Sequence, residues 1–256
     1  MTKQTQSAAA SSISPALRAL FAFVIPVFIG VIISQLINNN FVIDENSGLG
    51  VSAVILAGLG ITAWLLGMFW YGVSGMGVRG GRPLFSGIGF AVLGWVAFLV
   101  LRFVFVEIEG FGPANSARAY IYLFLFEAFA LQIWTFGLLF HAISEWRGPV
   151  TSAIVSGIIF GLAAALLFQE AFYTTPMSTM YFIIWGVMYG MIRLRTGSLV
   201  GTAWVQSLQS FTTWVVIVPK ALIHPGQLQS LYMAAIVAFL VIIWRLWPKS
   251  EEDVRV

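Results

Sequence analysis

Residues 84–106 read LFSGIGFAVLGWVAFLVLRFVFV, an apolar run in which Arg102 is the single charged side chain. About 20 consecutive apolar residues suffice for an α-helix to cross the hydrocarbon core of a bilayer. The whole chain has this character, because 59% of its 256 residues are hydrophobic and 9% are charged. Soluble domains carry roughly 25% charged residues. The composition therefore excludes a water-soluble globule and predicts an all-α fold, a polytopic membrane helical bundle.

Apolar runs separated by Gly, Pro, Asn or charged residues give eight candidate transmembrane helices. The sixth run is short for a span, and a span of that length needs its ends covered by neighbouring helices. A bundle of seven spans is therefore the alternative. The eight approximate ranges are 16–37, 51–73, 84–106, 119–140, 150–172, 180–192, 199–218 and 231–247.

The domain organisation is one membrane domain with short tails. A polar N-terminal tail, residues 1–15, precedes a first apolar run that is longer than a signal-peptide core and lacks a small-residue cleavage pattern, so we interpret it as a retained span. The membrane domain is expected over 16–248, and a C-terminal tail over 249–256.

Basic residues near the span ends predict the orientation, since Lys and Arg are retained on the cytoplasmic side. With the N-terminus inside, the outer loops contain only Arg118 and Lys220. The distribution predicts a multi-pass protein of the cell membrane with both termini in the cytoplasm. The inner segments, counted with the span ends that adjoin them, hold ten basic residues, which are Lys3, Arg18, Arg79, Arg82, Arg147, Arg193, Arg195, Arg245, Lys249 and Arg255.

The sequence lacks the residues that several common catalytic and metal-binding sites require. The chain has no Cys, which excludes disulfides and thiolate chemistry. His141 and His224 fall on opposite sides of the predicted membrane, and there is no HExxH or GxSxG motif, so we expect no metal, no cofactor and no conventional serine triad. The GxGxxG match at residues 75–80 follows a membrane helix instead of a strand and is not a dinucleotide site. A net charge of +3 predicts lipid, and no nucleic acid, as the neighbour.

Three ionisable side chains are predicted inside spans, where a charge needs a partner or a function. They are Arg102 in span three, Glu127 in span four and Glu170 in span five. Their depths allow an Arg102–Glu127 pair. A structural ion pair, a substrate or proton site and snorkelling toward the lipid surface remain open for them.

Two patterns of polar and small residues concern helix contacts. Gln206, Gln209, Ser210 and Thr213 recur at three-to-four spacing in span seven, which predicts a polar stripe facing the bundle interior. The stripe either hydrogen-bonds neighbouring helices or lines a pocket. Gly157 with Gly161, and Gly186 with Gly190, have the spacing of close helix packing, within the bundle or in a dimer.

Residues 125–215 resemble the CPBP family, the CAAX-protease and bacteriocin-processing intramembrane proteins also called the Abi family. The resemblance implies a CPBP-like core over about 119–218 of an eight-span bundle. The stretches that carry it are Gly137-Leu138-Leu139, Gly148-Pro149, Phe160-Gly161-Leu162, the glycines Gly186 and Gly190, and Thr196-Gly197-Ser198-Leu199.

The family is described by three motifs, EExxxR followed by glycine, FxxxH, and HxxxN or HxxxD. With Gly137 and Gly148-Pro149 fixing the register, none of the proton-carrying residues is present. A second register puts Glu127 on the first glutamate and Gln132 on the arginine, but it loses the glycine. In the first register the motif-equivalent positions, in order, are Leu131, Gln132, Phe136, Phe160, Ala164, Gln206 and Ser210.

The resemblance therefore implies the fold without the chemistry, and a cavity between spans four, five and seven, lined by Gln132, Gln206 and Ser210 with Trp134, Phe136 and Phe160 nearby. Our first hypothesis is a noncatalytic protein, a pseudoprotease, that binds a transmembrane protein helix or a lipid there. The alternatives are an active intramembrane endopeptidase that uses Glu127, which lies one helical turn from Leu131, and a small-solute transporter.

Overall fold

The structure is a computed structural model that describes residues 13–40, 51–112, 117–167, 176–219 and 225–255. Several residues singled out above lie outside these ranges, and the structure does not bear on them. They are Lys3, Glu170, Lys220 and His224, together with the side chain of Arg118.

The described residues form a bundle of eight helices. The fourth and seventh combine α-helical and π-helical turns and are treated as single helices, α4 over 117–147 and α7 over 200–216. The other six are α1 Pro15–Asn40, α2 Val51–Gly75 with a kink at Gly72, α3 Arg82–Phe105, α5 Pro149–Leu167, α6 Pro176–Thr196 and α8 Pro225–Leu246.

Helix α4 changes its winding four times. Its segments are α-helical Ala117–Tyr122, π-helical Leu123–Phe129, α-helical Ala130–Gln132, π-helical Ile133–Leu139 and α-helical Phe140–Arg147. Helix α7 is α-helical over Val200–Ser210 and π-helical over Phe211–Val216. Single π-turns inside α-helices are uncommon and are often found at functional sites. Both helices that carry π-turns also carry the polar residues that the first register predicts to be motif-equivalent, Gln132 on α4 and Gln206 and Ser210 on α7.

Seven of the described helices are long and apolar enough to cross a membrane, which confirms the polytopic helical bundle. The sequence predicts a short sixth span, but the corresponding helix α6 is regular and has 21 residues. The short helix of the bundle is α7, which has 11 α-helical and 6 π-helical residues. The sixth run reads as short because Ser178, Arg193 and Arg195 interrupt its hydropathy, although the helix continues through them.

Helix α7 nevertheless extends between the two ends of the bundle. At its start the backbone N–H of Leu199 donates to the carbonyl of Gly77, 3.0 Å away, next to the beginning of α3. At its end the strand β2, Ile217–Pro219, pairs antiparallel with β1, Ile108–Phe111, which follows α3. The strand continues the short helix, so the segment of 199–219 runs from one end of α3 to the other.

Both ends of the described chain lie at one end of the bundle. Arg18 near the start of α1 forms an ion pair with Glu145 of α4 at 2.6 Å. Arg195 at the end of α6 forms an ion pair with Asp253 after α8, also at 2.6 Å. We call this the terminal end of the bundle. The opposite end carries the β1–β2 pair.

The closest helix contact is between α5 and α6, and it uses the predicted glycines. A Cβ built on Gly186 would lie 2.1 Å from the carbonyl oxygen of Gly157, and one on Gly190 would lie 2.1 Å from that of Ala153. A Cβ on Gly161 would lie 2.4 Å from the Cα of Ile183. The interpretation of both glycine pairs as packing within one bundle is confirmed, since the two helices approach through these positions.

Candidate intramembrane site

Three buried polar side chains join α4 to α7. The hydroxyl of Thr202 donates to Oε1 of Gln132 at 3.0 Å, and Nε2 of Gln132 donates to Oε1 of Gln206 at 2.9 Å. Thr202 and Gln206 are one turn apart on α7, and all three side chains are inaccessible to solvent. Gln132, Gln206 and Thr202 are called the amide centre below. The first register places two motif-equivalent residues, Gln132 and Gln206, in this centre.

One turn further along, Glu127 of α4 faces Ser210 of α7. The Ser210 hydroxyl donates to Oε1 of Glu127 at 2.5 Å, and the glutamate side chain is half-buried. On α7, Ser210 follows Gln206 by four residues, whereas on α4, Glu127 precedes Gln132 by five residues. The first π-turn supplies the fifth residue, as the bond from the N–H of Ala130 to the carbonyl of Leu125 shows. In a regular α-helix, Ala128 would occupy the place that Glu127 takes.

The remaining motif-equivalent positions are apolar. Phe136 of α4 packs on Phe160 of α5, with their ring centroids 5.4 Å apart. Leu131 and Ala164 are fully buried in the hydrophobic core. The structure thus brings together two pairs of motif-equivalent positions, 132 with 206 and 136 with 160. The assignment of the motif register itself stays a prediction.

Four residues predicted to line or flank a cavity between spans four, five and seven are instead packed against one another. Gln132, Gln206, Phe136 and Phe160 have no exposed surface and contact one another in pairs. Trp134 was predicted to be nearby, and this is wrong, because its indole N–H donates to the carbonyl of Ala22 on α1 at 3.1 Å. Two residues along a helix point to nearly opposite sides, so Trp134 turns away from α7.

The polar stripe of α7 faces the interior as predicted, because Gln206, Gln209, Ser210 and Thr213 are all buried. It divides between two neighbours. Gln206 and Ser210 contact α4, whereas Nε2 of Gln209 donates to the hydroxyl of Tyr181 on α6 at 3.0 Å. Nε2 of Gln206 is buried without a hydrogen-bond partner among the described residues. A buried amide donor without a partner is energetically costly.

Arg102 and Glu127, the two intramembrane charges among the described residues, do not pair with each other. Arg102 is buried on α3, where it interacts electrostatically with Tyr232 of α8 and Tyr181 of α6. Glu127 accepts from Ser210 instead. The ion pairs formed between described residues are Arg18–Glu145 and Arg195–Asp253, so the Arg102–Glu127 pair considered from the sequence is not formed.

Arg193, which the sequence places among the basic residues of the inner segments, is completely buried. Its Nε donates to the carbonyl of Phe136 at 3.2 Å, and its guanidinium lies 5.0 Å from the centre of the Phe140 ring. A guanidinium therefore contacts the backbone at the position where the resemblance expects the motif arginine. The sequence carried no signal for this, since an arginine near a span end is explained by orientation alone.

Metal ligation has no basis in the described part of the chain, where no three His, Asp or Glu side chains cluster. His141 lies at the terminal end of the bundle, with its ring 4.2 Å from that of Tyr71. It lies fourteen residues after Glu127 on α4, toward the opposite end of that helix.

An apolar groove lies on the other side of α4, between it and α2. Its volume is about 270 Å³. Ile61 on its rim is 62% exposed, as a side chain facing lipid acyl chains would be. The groove is lined by Ala57, Gly60, Ile61, Trp64, Leu125, Phe126, Phe129, Ala130 and Ile133.

The amide centre can hold helices together and can donate to a carbonyl, but its two amides and its hydroxyl are not bases at neutral pH. Peptide hydrolysis needs a base to activate water and a donor for the oxyanion. Leu131 and Ala164 provide neither function, and the amides of Gln132 and Gln206 do not accept a proton near neutral pH. Glu127 is the carboxylate next to the centre, and its described partner is a hydroxyl.

Residues 113–212 match the family model described as Type II CAAX prenyl endopeptidase Rce1-like. This match confirms the resemblance to the CAAX-protease-like CPBP family, and it covers α4 to α7, the helices that carry the amide centre. Nothing in it supports the solute transporter considered above. No curated protein and no solved structure matches the chain.

Proposed function

We propose that this chain is a noncatalytic membrane protein on a CAAX-protease-like scaffold, and that it binds a hydrophobic membrane partner, a lipid or a transmembrane helix, without cleaving it. One observation carries the proposal. The motif-equivalent residues Gln132 and Gln206 are hydrogen-bonded to each other at 2.9 Å and are fully buried. Two amides in this arrangement stabilise the packing of α4 on α7, but they offer no base for hydrolysis.

The apolar groove between α2 and α4 is the surface that we propose for binding. Its lining is apolar, and Ile61 and Leu125 on its rim are exposed where a spanning helix meets lipid. An acyl chain or an apolar helix fits such a lining, since the lining side chains offer no hydrogen-bonding groups apart from the indole N–H of Trp64. The groove replaces the interhelical cavity that the sequence suggested.

We further propose that the terminal end of the bundle faces the cytoplasm of a cell membrane. Arg18, Arg79, Arg193, Arg195 and Arg255 lie at or near this end. Such an excess of basic residues is retained on the cytoplasmic side. Labelling of cysteines introduced singly into the Cys-free chain, from either side of sealed vesicles, tests the orientation.

Photocrosslinking tests the binding site. A benzophenone amino acid at Ile61, on the groove, is expected to form a discrete adduct with a lipid or a membrane protein in native membranes. Narrowing the groove with Ala57→Phe should remove this adduct, because a phenyl ring in the lining takes space that a bound chain or helix needs.

The matched control is the same amino acid at Val237 of α8, which is 59% exposed and lies away from the groove. There we expect only diffuse labelling by bulk lipid. Identical products from both positions, or an adduct at Ile61 that survives Ala57→Phe, would contradict a specific groove.

A second candidate, an endopeptidase that uses Glu127, is favoured by one observation. The π-turn directs the Glu127 carboxylate toward α7, where the Ser210 hydroxyl lies 2.5 Å away. If this carboxylate activates water, Glu127→Gln should reduce cleavage of a membrane substrate by at least about 100-fold, the range of general-base catalysis.

Glu109→Gln in the exposed strand β1 is the matched control for this substitution. We expect no turnover from wild type, Glu127→Gln or Glu109→Gln in membranes that contain endogenous proteins, analysed for new N-termini. Cleavage by wild type that disappears only in Glu127→Gln would favour the second candidate and remove the first.

A further inference from the structure

The chain after α8 folds back over the terminal end of the bundle. A 3₁₀ turn over Glu251–Asp253 directs it toward α6, and the backbone N–H of Arg255 donates to the carbonyl of Leu194 at 2.8 Å. Asp253 forms its ion pair with Arg195 in the same place. Val254 packs against the hydrophobic core. Residues 249–255 are called the tail below. It is docked through backbone, charge and apolar contacts together.

A hydrogen bond within the tail supports the ion pair between Asp253 and Arg195. One carboxylate oxygen of Asp253 accepts from the backbone N–H of Lys249 at 3.0 Å, and the other meets Arg195. These two donors, the Lys249 N–H first and Arg195 second, hold the pKa of Asp253 below its usual value. The ion pair is therefore formed at neutral pH, and the 3₁₀ turn is closed by the same side chain.

Arg193 lies under the docked tail and spans three segments. Its Nη1 donates to the carbonyl of Arg255 at 3.4 Å, its Nη2 to that of Gly75 at 3.3 Å, and its Nε to that of Phe136 at 3.2 Å. Gly77 permits this close approach, since a Cβ there would lie 2.5 Å from Nε. Neither ion pair of the described residues includes Arg193, so carbonyl oxygens and the Phe140 ring compensate its charge.

The three carbonyls belong to the tail, to the end of α2 and to the second π-turn of α4. A buried guanidinium is stable only while its donors are satisfied. If the tail leaves, Nη1 loses its acceptor and water reaches the charge, which weakens the hold on Phe136. Phe136 belongs to the π-helical segment Ile133–Leu139, so a weaker contact with Arg193 acts first on this segment.

From these contacts we infer that the tail is a releasable latch, and that its docking fixes the Phe136 segment of α4 through Arg193. A partner that pulled the tail away from α6 would loosen the packing of Phe136 on Phe160, next to the amide centre. This inference does not depend on what the groove between α2 and α4 binds.

Hydrogen–deuterium exchange in lipid nanodiscs tests the latch. We compare the full chain with a chain that ends at Pro248. Amides of residues 133–139 and of the end of α2 should exchange about tenfold faster in the shortened chain, because local opening governs exchange of a folded segment. Amides of α3 and α8 should be unchanged, which shows that the bundle remains folded. Equal exchange of residues 133–139 in both chains would overturn the inference.

Two point variants keep the test independent of the truncation. Asp253→Asn should speed exchange of the same segment by a smaller factor, whereas its exposed neighbour Glu252→Gln should not. In an Arg193→Lys background, removal of the tail should add no further acceleration, since lysine lacks the planar fork that joins the three carbonyls. Additive effects of the two changes would show that Arg193 does not transmit the docking, and would overturn the coupling.

Discussion

Gly186→Leu is expected to lower the stability of the bundle by about 3 kcal/mol or more, at the upper end of the usual cost of overpacking. A Cβ at this position would lie 2.1 Å from the carbonyl oxygen of Gly157 and 2.9 Å from the Phe160 ring. The first neighbour is backbone, so no side-chain rotation relieves the clash, and α6 must move away from α5. The measurement is unfolding in detergent followed by tryptophan fluorescence.

The separation of α5 and α6 would also break the Phe136–Phe160 contact, because Phe160 lies in the same interface. The control is Gly89→Leu, since a Cβ on Gly89 of α3 has no neighbour within 4 Å. Gly89→Leu should change stability by less than about 0.5 kcal/mol, as surface substitutions usually do. If both variants are equally stable, the close α5–α6 contact is absent from the protein in solution.

The helical fold could be predicted from apolar runs because the bilayer fixes the length of a span. Prediction failed in detail where burial inside the bundle replaces exposure to lipid. Helix α6 tolerates Ser178, Arg193 and Thr196 because these side chains are buried among neighbouring helices. The polar residues of the short helix α7 pair with α4 and α6, and strand β2 continues the path of the chain. Hydropathy cannot distinguish these two environments.

Part of the candidate site followed from helical periodicity and from the family resemblance. The stripe on α7 faces inward, and positions 132 and 206 meet. Thr202 could have been included, since it lies four residues before Gln206 on the same face. The contact of Glu127 with Ser210 could not be foreseen from a regular helix, which would have directed Ala128 there. It depends on a π-turn, and the turn depends on tertiary packing.

The sequence does not distinguish Arg193 from Arg195. The two arginines are two residues apart, and the retention of basic residues on the cytoplasmic side explains both equally well. In the structure, Arg193 is fully buried under backbone carbonyls, whereas the Arg195 side chain is 27% exposed beside Asp253. Two residues along a helix face opposite sides. Which side faces the bundle is decided by how α6 packs against α2, α4 and the tail, and the local sequence does not contain that information.

Arg193→Met should therefore destabilise the protein by about 3 kcal/mol, whereas Arg195→Met should cost less than about 1 kcal/mol, the usual value of an exposed ion pair. Hydrogen bonds from charged donors contribute about 1.5–3 kcal/mol each. The three bonds of Arg193 are partly offset by the desolvation of its charge, and this reduces their sum to the expected loss. Because methionine fills much of the same volume, the difference between the two variants reports polar contacts and not a cavity.

The measurement is the same fluorescence-detected unfolding in detergent, made on both variants and on wild type. An Arg193→Met protein as stable as Arg195→Met would mean that the carbonyls of Gly75, Phe136 and Arg255 do not hold the guanidinium. The link from the tail to α4 would then be absent as well.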